Sequence, residues 1–211
     1  MYDFHGIKIK WLGHDGFQIA KDKIVYIDPF KIEGGKDKAD IILITHSHYD
    51  HCSVEDVAKL VNENTVIVAT PDCISKISNL KYKDLKTVTP GDSIEIEDIK
   101  IEAVPAYNIS KQFHPKLNDW VGYIITIDGK RIYHSGDTDA IPEMNSLKVD
   151  LALMAVSGTY VMTAEEAAKV VNKIMPEVAM PMHYGSIVGD KSNAEKFKQL
   201  CNVEVVIMEK E

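Results

Sequence analysis

Cysteine is scarce in this chain of 211 residues. The three present, Cys52, Cys73 and Cys201, are odd in number and show no CxxC spacing. That argues against a disulfide framework and a thiolate zinc knuckle, and points to a reducing compartment. No apolar run approaches the ~20 residues a membrane helix needs, and the opening MYDFHGIKIK lacks the apolar core of a signal peptide. Positive charge is also in deficit: 24 Lys and Arg stand against 32 Asp and Glu, a formal net charge of −8. Broad binding to phosphate backbones rests on Lys and Arg, so nucleic acid is not the expected partner. No linker, internal repeat or low-complexity tract is visible. What remains is an expected soluble, cytoplasmic protein whose length and 45% apolar content suit one domain, residues 1–211.

Short β runs are predicted over 7–12, 17–20, 24–27, 41–45, 66–69 and 99–104, each apolar or alternating and bounded by turn residues. Ser53 with Asp56 resembles a capping box ahead of VEDVAKLV, and Thr70-Pro71 suits the cap and first turn of a second helix. Asp128-Gly129, between VGYIITI and KRIYHS, signals a type I′ hairpin. A buried strand, DLALMAV, precedes a helix opened by Thr163 and Glu166 that should stop before Pro176. VAMPMH then reads as a strand, Ser192 with Glu195 as the cap of a last helix, and VEVVIM as a closing strand. The order predicts an α+β fold of two sheets covered by helices, a four-layer αββα sandwich.

The segment that carries chemistry is IILITHSHYDH, residues 41–51, where a buried strand runs into three histidines and an aspartate. His46 and His48, two apart, point the same way if strand geometry persists, while Asp50 and His51 on the following turn can face a second position. Imidazole and carboxylate suit zinc, manganese or iron, and the spacing suits two cations. Solvated loop residues without a common purpose are the bland alternative, and four ligand-type side chains within six positions weigh against it. Asp28 in YIDPF could orient a ligand histidine, or simply form an Asp-Pro turn. Cys52 reads as a packed thiol and His5 as a surface residue.

THSHYDH resembles the HxHxDH signature of the metallo-β-lactamase superfamily, and WLGHDGF and YIDPF resemble its opening strands. HSGDTD (134–139) and PMHYG (181–185) resemble the motifs that supply a bridging aspartate, here Asp137, and a final histidine, here His183. VPAYN, FHPK, WVGY, MTAEEAA and PMHYG are most similar to the branch of L-ascorbate-6-phosphate lactonase and related uncharacterised metal-dependent hydrolases. The resemblance implies a dinuclear site, zinc first, with manganese or iron as alternatives. His46, His48 and His114 would hold one ion, Asp50, His51 and His183 the other, and Asp137 both. A shared bridging hydroxide would be the nucleophile, with Asp50 taking its proton. One position departs from the pattern: Asn108 stands where relatives place a histidine, and His114 is the next histidine along, so either residue could complete that shell. His134 and His14 are candidates for supporting the ligands or for packing.

The expected substrate is a small, anionic lactone, ester or phosphoester. Tyr107, Asn108 and Lys116, with Lys111 and Trp120 on the same loop, are the candidate contacts for it, and Tyr184 and Tyr160 are weaker ones. Ordinary loop contacts are the alternative for each. A ribonuclease or phosphodiesterase is the second enzymatic reading, disfavoured by the acidic balance. An iron-based oxygen-reducing enzyme is disfavoured because His48 stands where that type resembles HxExD. A metal-stabilised regulatory or scaffold protein is the non-enzymatic reading. No membrane partner is expected, and a homo-oligomer is compatible with the sequence.

Overall fold

Alternating Ile and Lys in IKIKW give the strand Ile7–Gly13 one buried and one outward side. In the computed structural model, which describes residues 1–211, this is β2 of a seven-stranded sheet. Its neighbours are β1 (Tyr2–Phe4), β3 (Gly16–Ala20), β4 (Ile24–Ile27), β5 (Ile41–Ile44), β6 (Val66–Ala69) and β7 (Asp84–Thr87), in chain order across the sheet. The pairs from β1 to β4 are antiparallel and those from β4 to β7 parallel. IILI and VIVA of β5 and β6 are buried at every position, the pattern of parallel strands.

Parallel pairs need crossovers. Helix α1 (Val54–Leu60) joins β5 to β6, and a 3-10 turn, Pro71–Cys73, runs into the single-turn α2 (Ile74–Ile77) before β7. Val57 and Leu60 of α1 lie in one apolar cluster with Ile42, Ile44, Ile67 and Ile77. Burial of each is worth about 1.5–3 kcal/mol. The Ser53 hydroxyl caps α1 as expected, accepting from the Asp56 amide. Asp56 does more: its carboxylate accepts the Lys31 and Ile32 amides at 2.8 and 2.9 Å, the Ser53 hydroxyl and the Lys59 ammonium. Burial pushes this carboxyl up, but those hydrogen bonds outweigh it and hold it below the ordinary value. Residues 1–88 with 208–211 form one unit, and residues 89–207 form the other.

The second unit repeats the plan. Its sheet runs β8 (Ser93–Ile96), β9 (Ile99–Pro105), β10 (Val121–Ile127), β11 (Lys130–His134), β12 (Leu151–Ala155), β13 (Val178–Met182) and β14 (Glu204–Val205). Pairs are antiparallel up to β11 and parallel beyond it. Asp128 and Gly129 take φ of 50° and 74° in the β10–β11 turn, as the hairpin signal requires. Helices α3 (Ala164–Ile174) and α4 (Lys191–Leu200) make the crossovers. Thr163 and Glu166 form the expected capping box, and Met175 closes α3 in the left-handed region before Pro176.

Four local expectations change. The cap of α4 is Asp190, whose carboxylate accepts the Ser192 amide at 2.7 Å while Asn193 reaches back to the Asp190 amide; Ser192 and Glu195 lie inside the helix. Asp and Asn compete for a cap as well as Ser does. Thr70 and Pro71 stand at the cap and first turn as expected, but the turn is 3-10 and the Thr70 hydroxyl bonds Asp72 in place of a backbone amide. VEVVIM pairs only at Glu204–Val205, and Lys210 instead bridges to Trp11. β1, β7 and β8 were not expected, because they are three or four residues long and β7 and β8 lack a buried side. No helix is long and apolar enough to cross a membrane.

Candidate metal centre

In the first unit, the candidate side chains sit where strands end. Asp28 follows β4 with φ 41°, and its amide donates to Leu43 O on β5 at 3.0 Å. One carboxylate oxygen accepts the Thr45 amide at 2.8 Å; the other accepts the Thr45 hydroxyl at 2.6 Å and His51 Nδ1 at 2.7 Å. These bonds fix tautomers. Nδ1 of His51 carries the proton it donates, so Nε2 presents a lone pair. The Thr45 hydroxyl spends its hydrogen on Asp28 and therefore accepts from His46 Nδ1 at 2.9 Å, which leaves His46 Nε2 as the donor atom for a cation.

His46 Nε2 stands 3.0 Å from His48 Nδ1. Two nitrogens bound at 2.0–2.1 Å to one ion would lie about 3 Å apart. His14, at φ 52° in the β2–β3 turn, directs Nε2 to Asp50 Oδ2 at 2.9 Å, and so steadies Asp50. Asp15, which the sequence did not single out, is fully buried, and one of its oxygens lies within 4.8 Å of donor atoms of His14 and His51. A buried carboxylate beside imidazoles fits a cation and not a solvated turn. Cys52 is a buried thiol held below its ordinary pKa first by a hydrogen bond from Cys73.

In the second unit, His114 and His183 approach the same carboxylate oxygen. Each Nε2 is 3.2 Å from Asp137 Oδ2. Asn108 decides what this means. Its Nδ2 donates to Asp139 Oδ1 and Tyr160 O at 3.1 and 2.9 Å, so its Oδ1 is the atom facing His114, accepting the backbone amide at 3.0 Å and Nδ1 at 3.1 Å. The His114 proton is thus on Nδ1, and the Nε2 lone pair faces a carboxylate oxygen. A proton on Nε2 or a shared cation can bridge such a contact, and two imidazoles converging on one buried carboxylate oxygen make a donor set that fits a divalent metal. His183 has φ 61°, uncommon for a residue other than glycine, and Ser157 Oγ meets its Nδ1 at 2.8 Å. Ser157 gave no signal in sequence beyond its place after a buried strand.

Of the two residues proposed for that shell, Asn108 lies behind His114 and orients it. His134 is buried on β11, where Nδ1 accepts the Gly136 amide at 3.2 Å and braces the turn leading to Asp137. Gly122 on β10 is pressed against that turn: a Cβ there would stand 2.6 Å from His134 O. The residues read as substrate contacts are engaged internally. Tyr107 donates to Glu143 at 3.0 Å, Lys116 bonds Glu143 at 3.1 Å and lies over the Tyr107 ring, and Tyr184 is buried. Lys111 pairs with Asp139, a buried carboxylate that also accepts the Ile109 amide at 2.8 Å.

Mixed sheets with histidines and aspartates at their strand ends define a metal-dependent hydrolase of the metallo-β-lactamase fold. The family model for the beta-lactamase superfamily domain matches residues 8–183. The chain belongs to that superfamily and, within it, to the UPF0173 metal-dependent hydrolases. It is 34% identical to the member from Pyrococcus abyssi over 220 residues, covering 96% of each chain. Identity to the Thermoplasma acidophilum member is 32% over 206 residues, 92% of this chain and 91% of the relative. A solved structure from Parabacteroides distasonis, assigned as a metal-dependent hydrolase, superposes with a TM-score of 0.85 at 33% identity, covering 97% of this chain and 94% of that one. Igni18, a metallo hydrolase of Ignicoccus hospitalis, shares the fold with a TM-score of 0.76 at 24% identity, covering 97% and 95%.

Proposed function

We propose that the protein is a cytoplasmic hydrolase of a small lactone, ester or phosphoester that works with two divalent cations, zinc first and manganese or iron next. His46, His48 and His114 would hold one cation, Asp50, His51 and His183 the other, and Asp137 would serve both. The observation that carries this reading is the hydrogen-bond pattern around the imidazoles. His46, His51 and His114 each have Nδ1 turned to Thr45, Asp28 or Asn108, which makes Nε2 the atom that would face a cation. The three free cysteines suit a reducing compartment. When bound, such cations lower the pKa of water and polarise the group under attack. Asp28 and Thr45 hold two imidazoles in one tautomer through the reaction. Asp50, steadied by His14, accepts the proton released as water adds to the carbonyl carbon or phosphorus and the leaving oxygen departs.

The test is a hydrolysis screen over lactones, esters and phosphodiesters with Zn²⁺, Mn²⁺ and Fe²⁺ supplied separately, alongside metal analysis. Two ions per chain and turnover of one class are expected. Full metal loading without hydrolysis of any class would overturn the enzymatic reading, and one ion per chain would overturn the dinuclear one.

A further inference from the structure

The loop that carries His114 is unusually apolar toward solvent. Ile109 is 64% exposed, Phe113 51% and Leu117 94%, three of the chain's nine large exposed hydrophobics within nine residues. Single exposed apolar residues are ordinary, and a cluster beside a site is not. The lysines on this loop are already matched: Lys111 by Asp139, and Lys116 by Glu143. Phe113 packs edge-to-face on Tyr160, ring centroids 4.6 Å apart.

Those two rings belong to the segments that set the ligands. Phe113 adjoins His114, and Tyr160 follows Ser157, the partner of His183, by three residues. The Asn108 amide fastens the two segments together, bonding His114 on one side and Tyr160 O on the other. An exposed phenyl ring packed on a half-buried tyrosine therefore stands beside His114 in the chain, with both lysines of the loop already matched.

Resting on the hydrolase reading above, we infer that Phe113 and Tyr160 determine specificity by receiving an apolar group, an alkyl or aryl portion of the scissile ester or lactone. Hydrophobic transfer into such a rim strengthens with each methylene, roughly threefold to fourfold when the methylene is fully buried. An anionic sugar phosphate is the substrate this rim would select against.

The experiment uses the zinc-loaded full chain. Hydrolysis of p-nitrophenyl acetate, butanoate and hexanoate is compared with calorimetric binding of acetohydroxamate, butanohydroxamate and hexanohydroxamate, in the parent, Phe113→Ser, Tyr160→Ser and the remote control Leu200→Ser. In the parent and Leu200→Ser, kcat/KM and hydroxamate affinity rise with chain length. In Phe113→Ser and Tyr160→Ser both slopes flatten, while metal content is retained. Hydrolysis with equal slopes in all four proteins overturns the inference and leaves the hydrolase reading intact. Hydroxamate slopes as expected without ester turnover support the inference and count against the hydrolase reading. A dimer in sedimentation that Phe113→Ser dissociates, with slopes unchanged, reassigns the patch to a contact between copies and overturns the inference.

Discussion

The two units build comparable sets of candidate ligands on the same strand plan by different routes. The first takes His46, His48, Asp50 and His51 from one six-residue turn after β5, with Asp28 and Thr45 serving both His46 and His51. The second collects His114, Asp137 and His183 after three different strands, and gives its two histidines separate partners, Asn108 and Ser157. A local turn can be oriented by a shared carboxylate, because its members are already neighbours in the chain. A dispersed set needs one support per ligand. Both sheets pass from antiparallel to parallel pairing in the same order, a repeat that the residues themselves do not announce.

The severest way to break this comparison is to remove Asp137, which two histidines of the second unit share. Asp137→Asn should lower hydrolysis roughly 10³-fold or more while the fold persists, checked by steady-state kinetics and circular dichroism. A folded variant with parental rates would remove Asp137 from the chemistry. Orientation comes next in size. Asn108→Ala should weaken metal affinity by about 10–100-fold, and Asp28→Ala by more, because it releases Thr45, His46 and His51 together. Chelator competition reads both, and equal losses would erase the contrast between shared and separate supports.

Stability separates the units further. Gly122→Ala should destabilise the second unit by about 1–3 kcal/mol in urea unfolding, since the new Cβ meets the His134 carbonyl. In the first unit, Asp56→Asn should cost about 1–3 kcal/mol at pH 7. The sign with pH follows from the lowered carboxyl: its contribution is present above the unfolded value near 3.8 and fades as pH falls through the lower folded value. Parent and variant should therefore converge in acid, and a constant gap would mean that charge is not involved. The smallest effect is expected at the α3 cap, where Thr163→Ala should cost about 1 kcal/mol.

How much of this was readable beforehand differs between the units. The turn at 46–51 announced itself, because strand, spacing and residue types coincide in one stretch. For β4 and β6 the apolar runs matched the strands to the residue. Asp137 and His183 were reached only through resemblance, since nothing local marks an aspartate in HSGDTD or a histidine in PMHYG as a ligand. Asp15 and Ser157 were missed because their meaning lies in partners far along the chain. Lys111 and Lys116 were read as a grip for anions, and their pairing with Asp139 and Glu143 could not be foreseen from loop composition.

Taken alone, the sequence determined the residue types able to bind cations, the caps and turns that depend on neighbours within four positions, and the family. Tertiary structure decided which nitrogen of His46, His51 and His114 is turned to an oxygen of Thr45, Asp28 or Asn108. It also decided which charges are matched within the chain and which rings stay exposed. A tautomer is set by the atom across the hydrogen bond, and that atom's position is known only once the strands have been ordered.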